Sequence, residues 1–280
     1  MTDAQLVWDT WRRILTSDAL ADAVVHGDGH DPASLGLAAG MSAILADYAS
    51  TPVATDTTIG AYRRGLVRNA LTALRLVPLT GRLLDTSRLD AQAVAADFVR
   101  SIDYRDHGPN FWRIAAGFVA YLAGLPEFSG PVHQDALALE AAAIGLVRRL
   151  GEARPKLWPE SAALNPVEPR AAGRFVASRA AVVAASNHDL TPWLEDALDF
   201  AADAALEPSR RHWLIYVPAA DAAHAYAELS ERAARAFDLL TVAKTAAELS
   251  AALDGLPPDE VFEVIGSLAE IGVVVRAEAA

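Results

Sequence analysis

Residues 61–84 read AYRRGLVRNALTALRLVPLTGRLL. Arg63, Arg64, Arg68, Arg75 and Arg82 fall in this stretch, and it holds no Asp or Glu. The chain of 280 residues nevertheless carries a formal charge of −12. At about 100° per residue, Arg64, Arg68 and Arg75 lie within about 40° of one another on a helix. Leu66, Ala70, Ala73, Leu74 and Val77 centre on the opposite side. The stretch therefore reads as an amphipathic helix that packs by one stripe and shows arginines on another. Pro78 ends or kinks it.

The charge is unevenly spread. Residues 1–59 carry net −6, residues 60–113 net +4, and residues 114–280 net −10. A predominantly acidic surface disfavours broad nucleic-acid binding, which needs positive charge against phosphate. There is no cysteine, which removes disulfides, thiolate nucleophiles and Cys-type metal sites. Hydrophobic residues make up 52% of the chain, many of them alanine, so a mostly helical globular protein is expected. No signal peptide and no membrane-spanning run is legible, and a cytoplasmic protein is expected.

Helical periodicity marks residues 3–25, 40–49, the basic helix from TDTTIGAYRRGL onward, Leu89–Arg100 capped by Ser87, FWRIAAGFVAYLAG capped by Asn110, and Val132–Leu150. GEARPKLWPESAALNPVEPR (151–170) has four prolines and reads as a crossover loop. Residues 171–206 return to a helical pattern, with a break at SNHDLTPW where Thr191 caps and Pro192 opens a helix. HWLIYVP (212–218) is a strand. DAAHAYAELSERAARAFDLL reads as a helix, Thr245–Leu253 and PPDEVFEVIGSLAEI as two more, and GVVVR (272–276) as a closing strand. The expected fold class is mainly α. An N-terminal multi-helix domain over 1–206 precedes a small α+β, winged-helix-like or peptide-recognition-like domain over 207–280.

Candidate sites are sparse. HGDGHD (26–31) places two imidazoles and two carboxylates in a glycine-rich loop, a weak metal pattern that matches ordinary turn chemistry equally well. YRDHGPNFWR (104–113) is either a capped helix start or a recognition surface. Asp135 and Glu140 are five apart and do not share a helix face, so they do not form an acid–base pair. A structural role is expected, with one of them pairing an arginine of the basic helix. No nucleophile elbow, phosphate loop, dinucleotide fingerprint or zincin motif is present.

A spread-out series then becomes visible: Tyr62-Arg63, Asn69, Leu74 and Pro78, next Asp97-Phe98-Val99, then Asn110-Phe111-Trp112, Phe118–Leu122, and Asp135 with Glu140. Over roughly residues 55–150 it resembles the helical domain of accessory proteins that pair with multinuclear non-haem iron oxidases in ribosomal peptide natural-product biosynthesis. The methanobactin accessory subunit and the bufferin-type maturation proteins are relatives in that group. The resemblance implies a non-catalytic subunit without a metal or cofactor of its own. It would bind a ribosomal precursor peptide and form a heterodimer with the iron oxidase, which supplies the iron. It implies partner- or peptide-binding roles for Tyr62, Arg63, Arg64, Arg68, Asn69, Arg75, Asn110, Phe111, Trp112, Trp213 and Ile215. The C-terminal region resembles the leader-recognition modules of such pathways. The commonest of these places three strands before its helices, whereas one strand before and one after are legible here. The alternative is a winged-helix transcriptional regulator. Its recognition helix would be PPDEVFEVIGSLAEI, which is acidic and has no Lys or Arg.

Overall fold

The computed structural model describes residues 4–27, 37, 39–101, 110–152, 173–195, 206–218 and 223–277. The fold is mainly helical, with a smaller C-terminal region that contains two small antiparallel sheets. The chain divides into two compact units, Met1–Arg75 with Arg88–Tyr121 and Leu76–Ser87 with Leu122–Ala280.

In the first unit, residues 3–25 form two helices, not one. These are α1 (Ala4–Thr16) and α2 (Asp18–His26), separated by Ser17, whose hydroxyl accepts from Leu20 N and caps α2. Gly27 closes α2 with φ 64°, a conformation glycine adopts without cost. Then come α3 (Ala39–Ala49) and α4 (Pro52–Ala73). The basic helix starts earlier than its sequence suggested, because Pro52 takes the first helical position. Thr55, Ile59, Leu66, Ala70 and Ala73 form its buried stripe, spaced by whole turns. Residues Leu74–Leu76 tighten into a 3-10 turn, and Pro78 opens α5 (Pro78–Thr86), which belongs to the second unit. The next helix, α6 (Ala91–Arg100), is capped by Asp90 through Gln92 N, so Ser87 is not its cap. Ser87 instead ends α5, its N–H donating to Leu83 O and Leu84 O. Phe98 of α6 stacks on Phe118 of α7 (Phe111–Ala123), with ring centroids 4.7 Å apart.

The second unit is built on α8 (Pro131–Glu152) and the strands that follow. Here the expectation of helix over 171–206 is corrected. The chain runs β1 (Arg174–Ala177), β2 (Ala181–His188) and a short α9 (Thr191–Glu195). Asp189 accepts from Thr191 N, so Asp189 holds the start of α9 in place of Thr191. The strand β3 spans Pro208–Tyr216. AYAEL, read within a helix, is strand β4 (Ala225–Leu229), and α10 (Glu231–Leu239) begins only after Ser230, whose hydroxyl caps it. The remaining elements are β5 (Lys244–Thr245), α11 (Ala246–Ala252), α12 (Pro258–Glu270) and β6 (Val274–Arg276). Thr245 and Glu248 form a capping box on α11. Asp254 at φ 60° and Gly255 at φ 77° make the turn into α12.

The sheets have strand orders β5-β1-β6 and β2-β3-β4. The second is a meander in which Val182 faces Ile215, Ala184 faces Trp213, Trp213 faces Glu228 and Ile215 faces Tyr226. Because β2 pairs with β3, the sheet region starts before residue 207 and a boundary after 206 would cut it. One face of this sheet, with Ala181, Leu214, Ala227 and Leu229, joins the core of Phe237, Leu249, Val261 and Ile265 from α10, α11 and α12. Alternate residues point to the other face, and α8 packs there, chiefly against β2. Four described strands, β1 to β4, therefore precede α10, which corrects the expectation of a single strand before the helices; the expected closing strand is present as β6, and the two-residue β5 lies between α10 and α11.

Candidate functional site

The arginines of the opening stretch separate into two kinds. Arg63 is part of the fold. Its Nε donates to Leu15 O at 2.9 Å and its Nη2 to Ile14 O at 3.4 Å, while Nη1 lies 2.9 Å from Asp18 Oδ1. A guanidinium thus satisfies carbonyls left open near the C-terminal end of α1, where positive charge is also favoured by the helix dipole. Arg64 and Arg68 are exposed on the outer face of α4. Arg75 is exposed on the 3-10 turn that follows. Because α4 ends at Ala73, helical spacing relates Arg64 to Arg68 but no longer governs Arg75. Among the described residues no acid pairs with Arg64, Arg68 or Arg75. Tyr62 is 49% exposed and sets its ring edge-on to buried Trp11, centroids 5.6 Å apart. Asn69, about two turns further along α4, is half-buried.

The other expected site residues lie elsewhere. Asn110 is exposed just ahead of α7, and its carbonyl accepts from Arg113 N. Phe111 and Trp112 are half-buried, with the Arg113 guanidinium 4.7 Å from the Trp112 ring centroid. Trp213 and Ile215 are 3% and 0% exposed on the sheet face toward α8. Their expected role as binding residues is corrected: they are core, and the Trp213 indole donates to Ser186 Oγ at 2.9 Å. Of YRDHGPN, residues 104–109 lie outside the described residues, as do 28–31 of HGDGHD and 153–170 of the proline-rich stretch.

Asp135 and Glu140 have structural partners, and neither partner is an arginine of α4. Both Glu140 oxygens accept from the first turn of α5, from Leu79 N at 2.8 Å and Thr80 N at 2.5 Å. The carboxylate is fully buried. Burial pushes its pKa up, against the opposing pull of the Thr80 and Leu79 donors and of Arg82. Arg82 itself donates to Trp193 O. Asp135 Oδ2 accepts from Asn187 N and lies 2.7 Å from His188 Nδ1, which fastens α8 to the irregular end of β2.

Sequence reasoning missed the outer edge of β4. No described strand pairs with it, and β4 runs directly into α10. The alternation in AYAEL was the available signal: Ala225, Ala227 and Leu229 face one way, Tyr226 and Glu228 the other. Just ahead of the strand, His224 Nε2 lies 3.0 Å from the Tyr226 hydroxyl. Burial lowers the His224 pKa and raises that of Tyr226, with the charge of Glu140 adding to the second shift.

Among the described residues no three His, Cys, Asp or Glu side chains gather as a metal site, and no helix is long and apolar enough to cross a membrane. What the geometry offers chemically is two recognition features: an arginine face on α4 and a strand edge on β4, neither of which has a partner among the described residues. No family model matches the chain, and a comparison with curated proteins finds no significant match.

Proposed function

We propose that the chain is a non-catalytic accessory subunit that binds a ribosomally synthesised precursor peptide and a multinuclear non-haem iron oxidase, presenting the peptide for modification. The observation that carries this reading is the β2–β3–β4 meander followed by α10, α11 and α12. A three-stranded sheet ahead of the helices is what the commonest leader-recognition modules have; here α9 lies between β2 and β3, and β5 lies between α10 and α11. A leader laid along Ala225–Leu229 would extend the sheet by main-chain hydrogen bonds, its alternate side chains facing opposite sides. Arg64 and Arg68 suit an acidic partner surface, where such charges set orientation and association rate more than final affinity.

Co-expression with the iron oxidase and the short peptide encoded in neighbouring reading frames tests this directly. Both should co-purify with the chain, and hydrogen exchange at residues 225–229 should slow when peptide binds. A folded chain that retains neither, or protection confined to other segments, sinks the reading.

A DNA-binding regulator is the second reading, favoured by the order α10, β5, α11, α12, β6, which follows that of a winged helix. Its recognition helix would be α12, and Asp259, Glu260, Glu263 and Glu270 set it against phosphate. A salt-dependent gel shift on the promoter of its own gene would favour this reading over the first.

A further inference from the structure

A cavity of about 410 Å³ opens between the end of α8, the β1–β2 turn and the end of α10. Leu150 and Phe237, both buried, line it together with Arg149, Arg179 and Ser178. The arginines come from different elements, α8 and the turn after β1. Both are exposed, and neither has an acidic partner among the described residues. Ser178 is 7% exposed, and its hydroxyl accepts from Ala180 N at 3.1 Å. No described acceptor takes the hydroxyl proton of Ser178. An apolar lining, two unpaired guanidinium groups and a buried hydroxyl with a proton to give form a site for an anion attached to an apolar group.

We propose that this cavity binds the free C-terminal residue of a peptide when that residue is apolar. The carboxylate would sit against Arg149, Arg179 and the Ser178 hydroxyl, and the side chain on Leu150 and Phe237. Guanidinium groups pair with a carboxylate through two parallel N–H donors, which fixes its orientation. The cavity is open to solvent on one side, so the preceding residues of a peptide can leave it. A fatty acid would need a closed apolar tunnel. The site is separate from the strand edge of β4 and does not depend on the precursor-peptide reading.

Calorimetric titration of the full chain with acetyl-Ala-Phe-Leu as the free acid, its C-terminal amide and octanoate decides the matter. The free acid should bind. The amide should bind at least about tenfold more weakly, and so should octanoate. Arg149→Gln and Arg179→Gln should each weaken the free acid by about tenfold without moving the melting temperature. The proposal is overturned by absence of binding, by equal affinity for acid and amide, or by either arginine variant binding as well as the parent. Octanoate binding as tightly as the peptide would overturn the choice of occupant.

Discussion

Arg63 and Arg64 are neighbours in the chain and have opposite fates. Arg63 closes the end of α1 and reaches Asp18, while Arg64 stands on the outer face of α4 without a described acid. The same two kinds of arginine occur in both units. In the second unit Arg174, Arg211, Arg232 and Arg235 each lie within 3.3 Å of a carboxylate, while Arg149 and Arg179 have no described acid. In the first unit Arg63 and Arg100 are paired, while Arg64 and Arg68 have no described acid. The chain holds more acids than bases, so a shortage of carboxylates does not explain the difference. Charge that folding has already used says nothing about a binding surface. Charge that folding leaves over does.

The contrast can be broken at several depths. The largest effect is expected at Trp213→Ala, which empties a site under α8 and removes the donor to Ser186. About 3–5 kcal/mol of stability should be lost in a denaturant titration. A loss under about 1 kcal/mol would mean Trp213 is not core. Next comes Glu140→Gln, which sets an amide donor against one of the two backbone N–H groups of α5. A loss of about 2–3 kcal/mol is expected from leaving a buried donor without an acceptor. Arg63→Ala should cost about 1–2 kcal/mol through the open carbonyls of α1. Arg64→Glu with Arg68→Glu should change stability by no more than about 0.5 kcal/mol, since neither side chain takes part in the fold.

The smallest effect is a pH dependence. Burial holds the His224 pKa below the ordinary histidine value of about 6.5. The unfolded chain then takes up a proton at that site before the folded chain does. Stability from this residue is complete above about pH 6.5 and declines as pH falls toward the lowered folded value. Melting temperatures of His224→Gln should therefore fall less steeply than those of the parent on acidification below that pH. Parallel curves would remove His224 from the account.

How much of this was legible depended on how many faces each element buries. The amphipathic helices α4, α6, α7 and α8 could be read from their period, because one stripe packs and the rest meets solvent, whereas the caps expected for α4 and α6 were not the ones used. The strands β1 and β2 could not. Residues Ala181–Ala184 have neighbours on both faces, α8 on one and the α10–α12 core on the other, so apolar residues run without alternation. Alanine in that run then suggests helix. AYAEL does alternate, but it abuts a true helix at Glu231 and was absorbed into it.

Of the expected stripe of Arg64, Arg68 and Arg75, spacing sets Arg64 and Arg68 together and Arg63 apart, whereas Arg75 falls on the 3-10 turn after α4 and outside that spacing. The reason Arg63 is apart was not legible. Its partners Ile14, Leu15 and Asp18 lie more than forty positions away, and no local pattern points to them. Glu140 was recognisable as structural. Its partner was not, because the N–H groups at the start of a helix carry no side-chain signature. Trp213 and Ile215 show the converse error. Aromatic and β-branched residues on a strand suggest recognition as readily as core until the opposing layer is known.

The central claim is that Arg64 and Arg68 are free for a partner. The most direct test is a binding titration of the neighbouring-frame iron oxidase against the parent chain and the Arg64→Glu/Arg68→Glu variant, each with its melting temperature measured alongside. The account predicts an unchanged melting temperature with affinity reduced at least about tenfold, and a weaker salt dependence of association for the variant. Equal affinity for parent and variant, or a variant that no longer folds, would contradict it.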